Sequence, residues 1–252
     1  MDFYDKLGIA LSEMPGITLE DMKDVRLMNR TDTKYLANKS LLLKFFEYAK
    51  DDYFVQVIDG NHIAAYDTTY WDTEAHDFYM AHHNGMRPRT KVRIRTYIDS
   101  ALTFLEVKNK DNHNKTRKKR RPLASPEEIG TEENEEFLNQ RAKVDKDDIH
   151  PCLENNFKRV TLVNKKRTER LTIDFDLSFR NIETGKSADV GDLVIIELKR
   201  EGKSPSPALA HMLKLRIKPQ GFSKYCIGTY LTNSGIKRNM FKSRITTIKK
   251  LV

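Results

Sequence analysis

The sequence predicts an α+β fold: about eight mostly antiparallel strands closing into a barrel with a polar, basic interior, covered by several amphipathic helices. Three observations predict it. First, five stretches carry charges of both signs at every second residue: Arg30-x-Asp32-x-Lys34, Lys91-x-Arg93-x-Arg95, Glu106-x-Lys108-x-Lys110, Arg170/Thr172/Asp174/Asp176 and Glu197-x-Lys199. Strand side chains alternate with period two, so each stretch turns its charges one way and its apolar or neutral residues the other. Second, these faces are built from Arg, Lys and carboxylates, where ordinary solvent faces use more Thr, Ser and Gln. A solvated face accounts for any one such strand; five with the same alternation favour an enclosed polar interior. Third, apolar helical stripes lie between the strands and can cover their outer faces. No internal repeat or low-complexity linker interrupts the chain, so residues 1–252 read as a single domain, with a core over about 26–231 and a helical tail over 232–252.

In chain order, the opening segment reads as short helices, with Thr18 a cap for a turn carrying Asp21 three residues on. A strand over 27–36 precedes a helix capped by Asn38 that turns Leu41, Leu42, Phe45 and Phe46 inward. Residues 53–58 and 63–71 read as a hairpin around Asp59-Gly60-Asn61. A short helix over 74–84 ends at Gly85. The charged hairpin follows, 89–97 and 102–110, turning at Asp99-Ser100-Ala101. A basic strand runs over 115–121. Ser125-Pro126-Glu127-Glu128 opens an acidic helical section continuing to about 149. Strands resume at 157–163, 169–179 and 193–200. Ser204-Pro205-Ser206-Pro207 breaks the chain before a helix over 208–217, and the tail from 222 is helical and basic.

Composition narrows the function. With 45 Lys and Arg against 36 Asp and Glu, the chain of 252 residues carries a formal charge of +9. A partner rich in negative charge is therefore expected: nucleotide, polyphosphate, nucleic acid or acidic membrane surface. Cys152 and Cys226 lack the spacing of a disulfide framework, which points to a reducing compartment. The acidic N-terminus has no hydrophobic signal core, and no apolar run approaches the ~20 residues of a membrane span. A cytoplasmic protein is expected. The seven histidines show no His-x-x-x-His or Cys/His spacing, so no zinc site is assigned. The run Lys115 to Arg121 matches nucleic-acid patches, but a strand bearing phosphate-binding lysines fits it better. The basic faces also lack the aromatic platforms of single-strand binders, so no nucleic acid is expected.

Seven stretches, in order, resemble one family: Arg30-Thr-Asp-Thr-Lys34-Tyr35; Thr69-Tyr-Trp-Asp72-Thr73; Asn84-Gly-Met-Arg-Pro-Arg-Thr-Lys-Val-Arg93-Ile-Arg95; Phe104-Leu-Glu-Val-Lys108-Asn-Lys110; Arg170-Leu-Thr-Ile-Asp-Phe-Asp176; Val194-Ile-Ile-Glu197-Leu-Lys199; and Phe222-Ser-Lys224-Tyr225. The chain resembles the catalytic domain of the vacuolar transporter chaperone (VTC) polyphosphate polymerases, within the triphosphate tunnel metalloenzymes of the CYTH-like superfamily. The resemblance implies a closed, eight-stranded antiparallel tunnel in which Lys34, Arg93, Arg95, Lys108, Arg170 and Lys224 serve the transfer. It implies further substrate contacts from Arg159, Lys199 and Ser223. Lys119 is taken as the contact from the 115–121 run, with Lys118 as the alternative register. Glu197 would hold Mn²⁺ or Mg²⁺. ATP and polyphosphate would be the substrates, the γ-phosphate passing to the growing chain with release of ADP.

Such residues suit such chemistry. Phosphoryl transfer needs alignment and charge neutralisation more than covalent help. Arg forks grip phosphate oxygens bidentately, and Lys supplies mobile point charges. A carboxylate among cations makes sense as a ligand for a hard divalent ion; a salt bridge to a neighbouring Lys or Arg is the equal alternative on the residues alone. Two positions depart from the family pattern. Arg30 stands where triphosphatases have the first acid of Glu-x-Glu-x-Lys, which points to one metal rather than two. Phe157 stands where the polymerase motif often has Tyr. A metal-dependent triphosphatase using water as acceptor, and a non-catalytic polyanion binder, are the other two classes considered.

Overall fold

Alternating apolar and polar residues make most of this chain strand. The structure is a computed structural model that describes residues 1–25, 30–113, 115–202 and 204–252. Its strands are β1 (Gly16–Ile17), β2 (Arg30–Asn38), β3 (Tyr53–Gln56), β4 (Ala64–Thr73), β5 (Arg89–Tyr97), β6 (Leu102–Lys110), β7 (Thr116–Leu123), β8 (Ile149–Asn164), β9 (Glu169–Asn181), β10 (Ser187–Asp189) and β11 (Leu193–Glu201). The helices are α1 (Phe3–Ser12), α2 (Lys39–Ala49), α3 (Asp77–His83), α4 (Glu132–Ala142), α5 (Pro207–Lys214), α6 (Lys224–Thr232) and α7 (Lys242–Lys249). The first three positions of the strand expected over 27–36 are outside the described residues.

Eight strands form an antiparallel path in the order β2-β11-β9-β8-β4-β5-β6-β7. β10 adds to β9, and β3 adds to β8 and pairs in parallel with β1. The expected closed eight-stranded tunnel is therefore corrected: the sheet is open and has eleven strands, with no pairing between β2 and β7 among the described residues. β7 explains why its edge stays unpaired. It carries Arg117, Lys118, Lys119, Arg120 and Arg121 in succession and then Pro122, which lacks an N–H. Like charges and proline are what keep a sheet edge from pairing. The sheet is nonetheless strongly curled, since Lys108 on β6 lies in the field of Lys34 on β2 and of Glu197 and Lys199 on β11.

The convex face carries two cores. Under α1, α2 and α5 lie Tyr35, Ala37, Val160, Leu162, Leu171, Ile173, Val194, Ile196 and Leu198. Under α4 lie Val92, Ile94, Leu105 and Val107, packed against Leu138 and Ala142. These are the alternate residues that the sequence assigns to the apolar face. Asn38 caps α2 as expected, its Oδ1 accepting from the Leu41 N–H at 2.9 Å. The β5/β6 hairpin also forms in the expected register, with Arg95 opposite Phe104 and Arg93 opposite Glu106.

Three local expectations are corrected. Residues 53–56 and 64–73 are not hairpin partners: β3 pairs with β8, and the turn between β3 and β4 is closed only by the Ile58–Asn61 bridge. The acidic helix stops at Ala142, where Lys143 takes a left-handed φ of 59°, and the chain is already strand at Ile149. Finally, Asp176 leaves the charged face. Its φ is 50°, and the β8/β9 register slips between Asn156 and Lys158 at the same place. Such an irregularity turns a side chain out of the alternation. Asp176 instead pairs with Lys39 at 2.8 Å and accepts a hydrogen bond from the Tyr4 hydroxyl of α1.

A third cluster fills one end of the concave face. α6 and α7 place Tyr225, Ile227, Ile245 and Ile248 against Leu36, Tyr66, Tyr70, Leu153, Phe157, Phe179 and Ile195. The sheet thus presents a basin plugged at one end, with charged residues along the remainder. Among the described residues, no helix is long and apolar enough to cross a membrane.

Candidate active site

Strand register assembles the basin. Across β2, β11 and β9, Lys34 lies opposite Glu197 and Glu197 opposite Thr172, while Lys199 lies opposite Arg170. Across β9 and β8, Asp174 lies opposite Arg159. Across β5, β6 and β7, Lys91 lies opposite Lys108 and Lys108 opposite Lys118. These residues share one parity on their strands, so they share one face.

Three carboxylates organise the cations. Glu106, 1% exposed, accepts from Arg93 Nε at 2.7 Å and Nη2 at 2.6 Å, and also pairs with Lys118. Burial opposes its charge, yet Arg93, Arg95 and Lys118 together bring its pKa down to about 2. Asp174, 5% exposed, accepts from Arg159 Nε at 2.5 Å and Nη2 at 2.8 Å, and from Lys224. Burial again opposes ionisation, and Arg159 and Lys224 overcome it, holding this carboxyl well below the usual range. Glu197 lies 3.1 Å from Lys199 and 3.9 Å from Lys34. It too is held ionised against burial, by Lys199, Lys34 and Lys108.

The cations outnumber these carboxylates, and burial strains them. Lys224 is brought down to about 7, chiefly by burial, with Arg159 and Arg95 adding repulsion that Asp174 only partly offsets. Lys91 falls to about 7, by burial and then by the charges of Lys34, Lys108 and Arg89. Lys108 falls to about 8 and Lys118 to about 8, each by burial first. Arg95, 5% exposed, is lowered to about 10 by burial and Arg93, and gives its Nε–H to Thr68 Oγ1 at 3.0 Å. An anion with several negative charges would relieve all of them at once.

An aromatic floor underlies the centre. Phe157 and Tyr66 stack with centroids 5.0 Å apart. Lys224 Nζ sits 3.5 Å above the Phe157 ring, and the Arg95 and Arg159 guanidinium carbons lie 5.4 and 5.3 Å from it. Phe157, whose missing hydroxyl marks a departure from the family motif, therefore acts as a platform for three cations. At the plug, Ser223 caps α6: its Oγ accepts from the Cys226 N–H at 3.3 Å and from Lys91 Nζ at 2.8 Å. The positive end of the α6 dipole thus adds to the field of the basin. Lys34 Nζ donates to the Phe222 carbonyl at 2.9 Å, tying β2 to the same corner.

Of the residues singled out from the sequence, Lys34, Arg93, Arg95, Lys108, Arg159, Lys199, Ser223, Lys224 and Glu197 meet here, with Arg170 beside Lys199 on the adjoining strand. Lys119 does not. It lies opposite Val107, on the convex parity, whereas Lys118 lies opposite Lys108 and reaches Glu106. A one-residue shift on a strand turns a side chain to the other face, and the unbroken run of basic residues conceals that shift. Sequence reasoning missed Lys91, although it shares parity with Arg93 and Arg95. It also assigned no role to Glu106 and Asp174, whose partners come from other strands.

The donor set fits a hard divalent ion. Glu197 is a half-buried carboxylate aimed into the basin, and its neighbours are cations that attract phosphate. Mg²⁺ and Mn²⁺ are commonly held by one or two carboxylates with substrate oxygens completing the shell.

Solved structures share the fold. A candidate adenylyl cyclase from Hippeastrum, reported to show a dominant triphosphatase activity, is 14% identical with a TM-score of 0.51 over 82% of this chain and 98% of its own. A candidate adenylate cyclase from Bacillus halodurans is 14% identical, with a TM-score of 0.49 over 78% of this chain and 96% of that one. Another from Vibrio parahaemolyticus is 11% identical, with a TM-score of 0.46 over 80% and 99%. No curated protein sequence matches significantly. The family model of the VTC domain matches residues 29–233, most of the chain and every strand of the basin. The chain belongs to the VTC domain family.

Proposed function

We propose that this chain is a polyphosphate polymerase that takes the γ-phosphate of ATP and adds it to the terminal phosphate of a polyphosphate chain, releasing ADP. One observation carries the reading. Lysines and arginines from both halves of the curled sheet lie in one another's fields, Lys108 with Lys34 and Lys224 with Arg95 and Arg159. A row of phosphates supplies the counter-charge that they lack. Family membership supports a reaction on triphosphates.

In this mechanism Lys34, Lys108, Arg93 and Arg95 line up the triphosphate, with Arg170, Lys199 and Lys118 extending the row and Arg159 and Lys224 gripping it at the aromatic floor. Alignment in line, together with neutralisation of the transferred group, supplies the rate. Glu197 would hold Mn²⁺ or Mg²⁺, which when bound neutralises charge on the triphosphate oxygens. The acceptor phosphate arrives already ionised, so no general base is needed. Glu106 and Asp174 are poor bases in any case, because two or more cations hold each of them deprotonated. That disfavours water as acceptor, the route of a triphosphatase such as the Hippeastrum protein.

The test is to incubate the purified chain with ATP and Mn²⁺, resolve products on a gel stained for polyphosphate, and assay ADP and free phosphate. Polyphosphate with stoichiometric ADP is expected. Free phosphate without polymer would make the chain a hydrolase, and neither product would leave a polyanion-binding module.

A further inference from the structure

The chain brings a second set of metal-type donors together away from the basin, on its side of the α3–β8 junction. His76 lies in the turn between β4 and α3, Cys152 near the start of β8, and Glu183 just after β9. One ring nitrogen of His76, the Cys152 sulfur and one Glu183 carboxylate oxygen all lie within 4.8 Å of one another. His76 Nε2 is 3.3 Å from Glu183 Oε2, and His150 Nε2 is 3.0 Å from Glu183 Oε1. We propose that His76, Cys152 and Glu183 bind a borderline-soft divalent cation, Zn²⁺ in chemical class, with His150 orienting Glu183.

Several features favour a built site. The donors are one imidazole, one thiol and one carboxylate, the set tetrahedral zinc prefers. With bonds of about 2.0–2.3 Å, tetrahedral donors stand roughly 3.3–3.8 Å apart, so the three need only a small contraction. A β-bulge brings the sulfur there: Trp71 pairs with Pro151 but Tyr70 pairs with Leu153, leaving Cys152 as the extra residue. Bulges re-aim side chains at functional sites. His76 Nδ1 is buried and has no hydrogen-bond partner among the described residues, an orphaned polar atom that a cation would satisfy. Cys152 is 2% exposed and its thiol only donates weakly to the His150 carbonyl at 3.3 Å, so metal binding would release that proton to solvent. A hydrogen-bonded carboxylate beside a metal ligand is the usual outer-shell arrangement, and His150 supplies it here. Glu183 lies at the surface, leaving a fourth position for water.

Co²⁺ is the probe, titrated into the full-length chain with excess Mg²⁺ present to occupy oxygen-only sites. One equivalent with a sulfur-to-cobalt charge-transfer band and intense tetrahedral visible bands is expected. The charge-transfer band should vanish in Cys152→Ser and persist in Cys226→Ser. Glu183→Gln and His76→Ala, both nearer the surface, should weaken Co²⁺ binding more than about 10-fold, and they stand in if Cys152→Ser does not fold. Absence of a charge-transfer band in the wild type, its survival in Cys152→Ser, or its loss in Cys226→Ser would overturn the proposal. The readout is independent of ATP turnover, so it stands or falls apart from the polymerase reading.

Discussion

Lys224 concentrates the chemistry of the basin in one side chain. It begins α6, lies over Phe157 and pairs with Asp174, yet burial and two arginines bring its ammonium down to about 7. Asp174 retains its two hydrogen bonds from Arg159 if Lys224 is removed. Lys224→Ala should therefore fold, with a thermal midpoint within a few degrees of wild type, while turnover drops about 10²–10³-fold. A melting curve beside the polymer gel separates the two effects. Glu197→Gln should lose activity and its response to Mn²⁺ together, which a metal titration of the turnover rate would show. The strained lysines also set a pH dependence. Raising pH through about 7 to 8 discharges Lys91 and Lys224 and then Lys108 and Lys118, whereas a bound triphosphate favours their charged forms. Affinity for triphosphate should fall as pH rises from 6 to 9, by up to roughly tenfold per unit for each lysine that must be recharged. Calorimetry in buffers of different ionisation heat should show proton uptake on binding in that range.

At the scale of elements, α6 is the part that makes the basin specific. It crosses β8 and β9 closely because Gly228 has no side chain: a Cβ there would come within 2.4 Å of Phe179 Cδ1 and 2.6 Å of Leu153 Cδ2. Gly228→Ala should cost about 1–3 kcal/mol in denaturant unfolding and shift Lys224 off Phe157, so activity falls along with stability. A second tie fixes α6 to α3. The buried Asp72 carboxylate accepts from the Phe78 and Tyr79 N–H groups, each at 2.8 Å, and from the Tyr225 hydroxyl at 2.5 Å. It thus caps α3 and anchors α6 at once. Asp72→Ala would strand three buried donors, and a loss of about 3 kcal/mol or more is expected in urea unfolding.

The whole molecule holds the positive charge of its basin against itself. Lys91, Lys108, Lys118 and Lys224 each have a pKa far below the ~10.4 of an unfolded lysine. Between roughly pH 7 and 10 the unfolded chain binds more protons at these positions, so their contribution to stability rises with pH through that window. Thermal melts of the ligand-free chain from pH 7 to 9 should move upward from this cause. Inorganic tripolyphosphate should raise the melting temperature at neutral pH, increasingly with its concentration and less at high salt. The open edge at β7 belongs to the same scale. Its cations keep it from pairing, and the curl of the other strands brings the charged residues together without closure.

Much of this was legible locally. Period-two alternation assigned the basin residues of β5, β6, β9 and β11 to one face, because side-chain direction on a strand depends only on neighbouring residues. The same rule sets the convex core under α1, α2, α5 and α4, and the Asn38 cap of α2. It failed where the backbone broke step: Asp176, with φ of 50°, turned out to Lys39, and the uniform basic run of β7 hid which of Lys118 and Lys119 faces inward. Tertiary structure alone decided the rest. The pairing of Glu106 with Lys118 and of Asp174 with Lys224, the seating of three cations on Phe157, and the meeting of His76, Cys152 and Glu183 all join residues distant in sequence. Their distances depend on register, curl and the angle at which α6 packs, and those are fixed by the balance of packing and charge across the whole sheet.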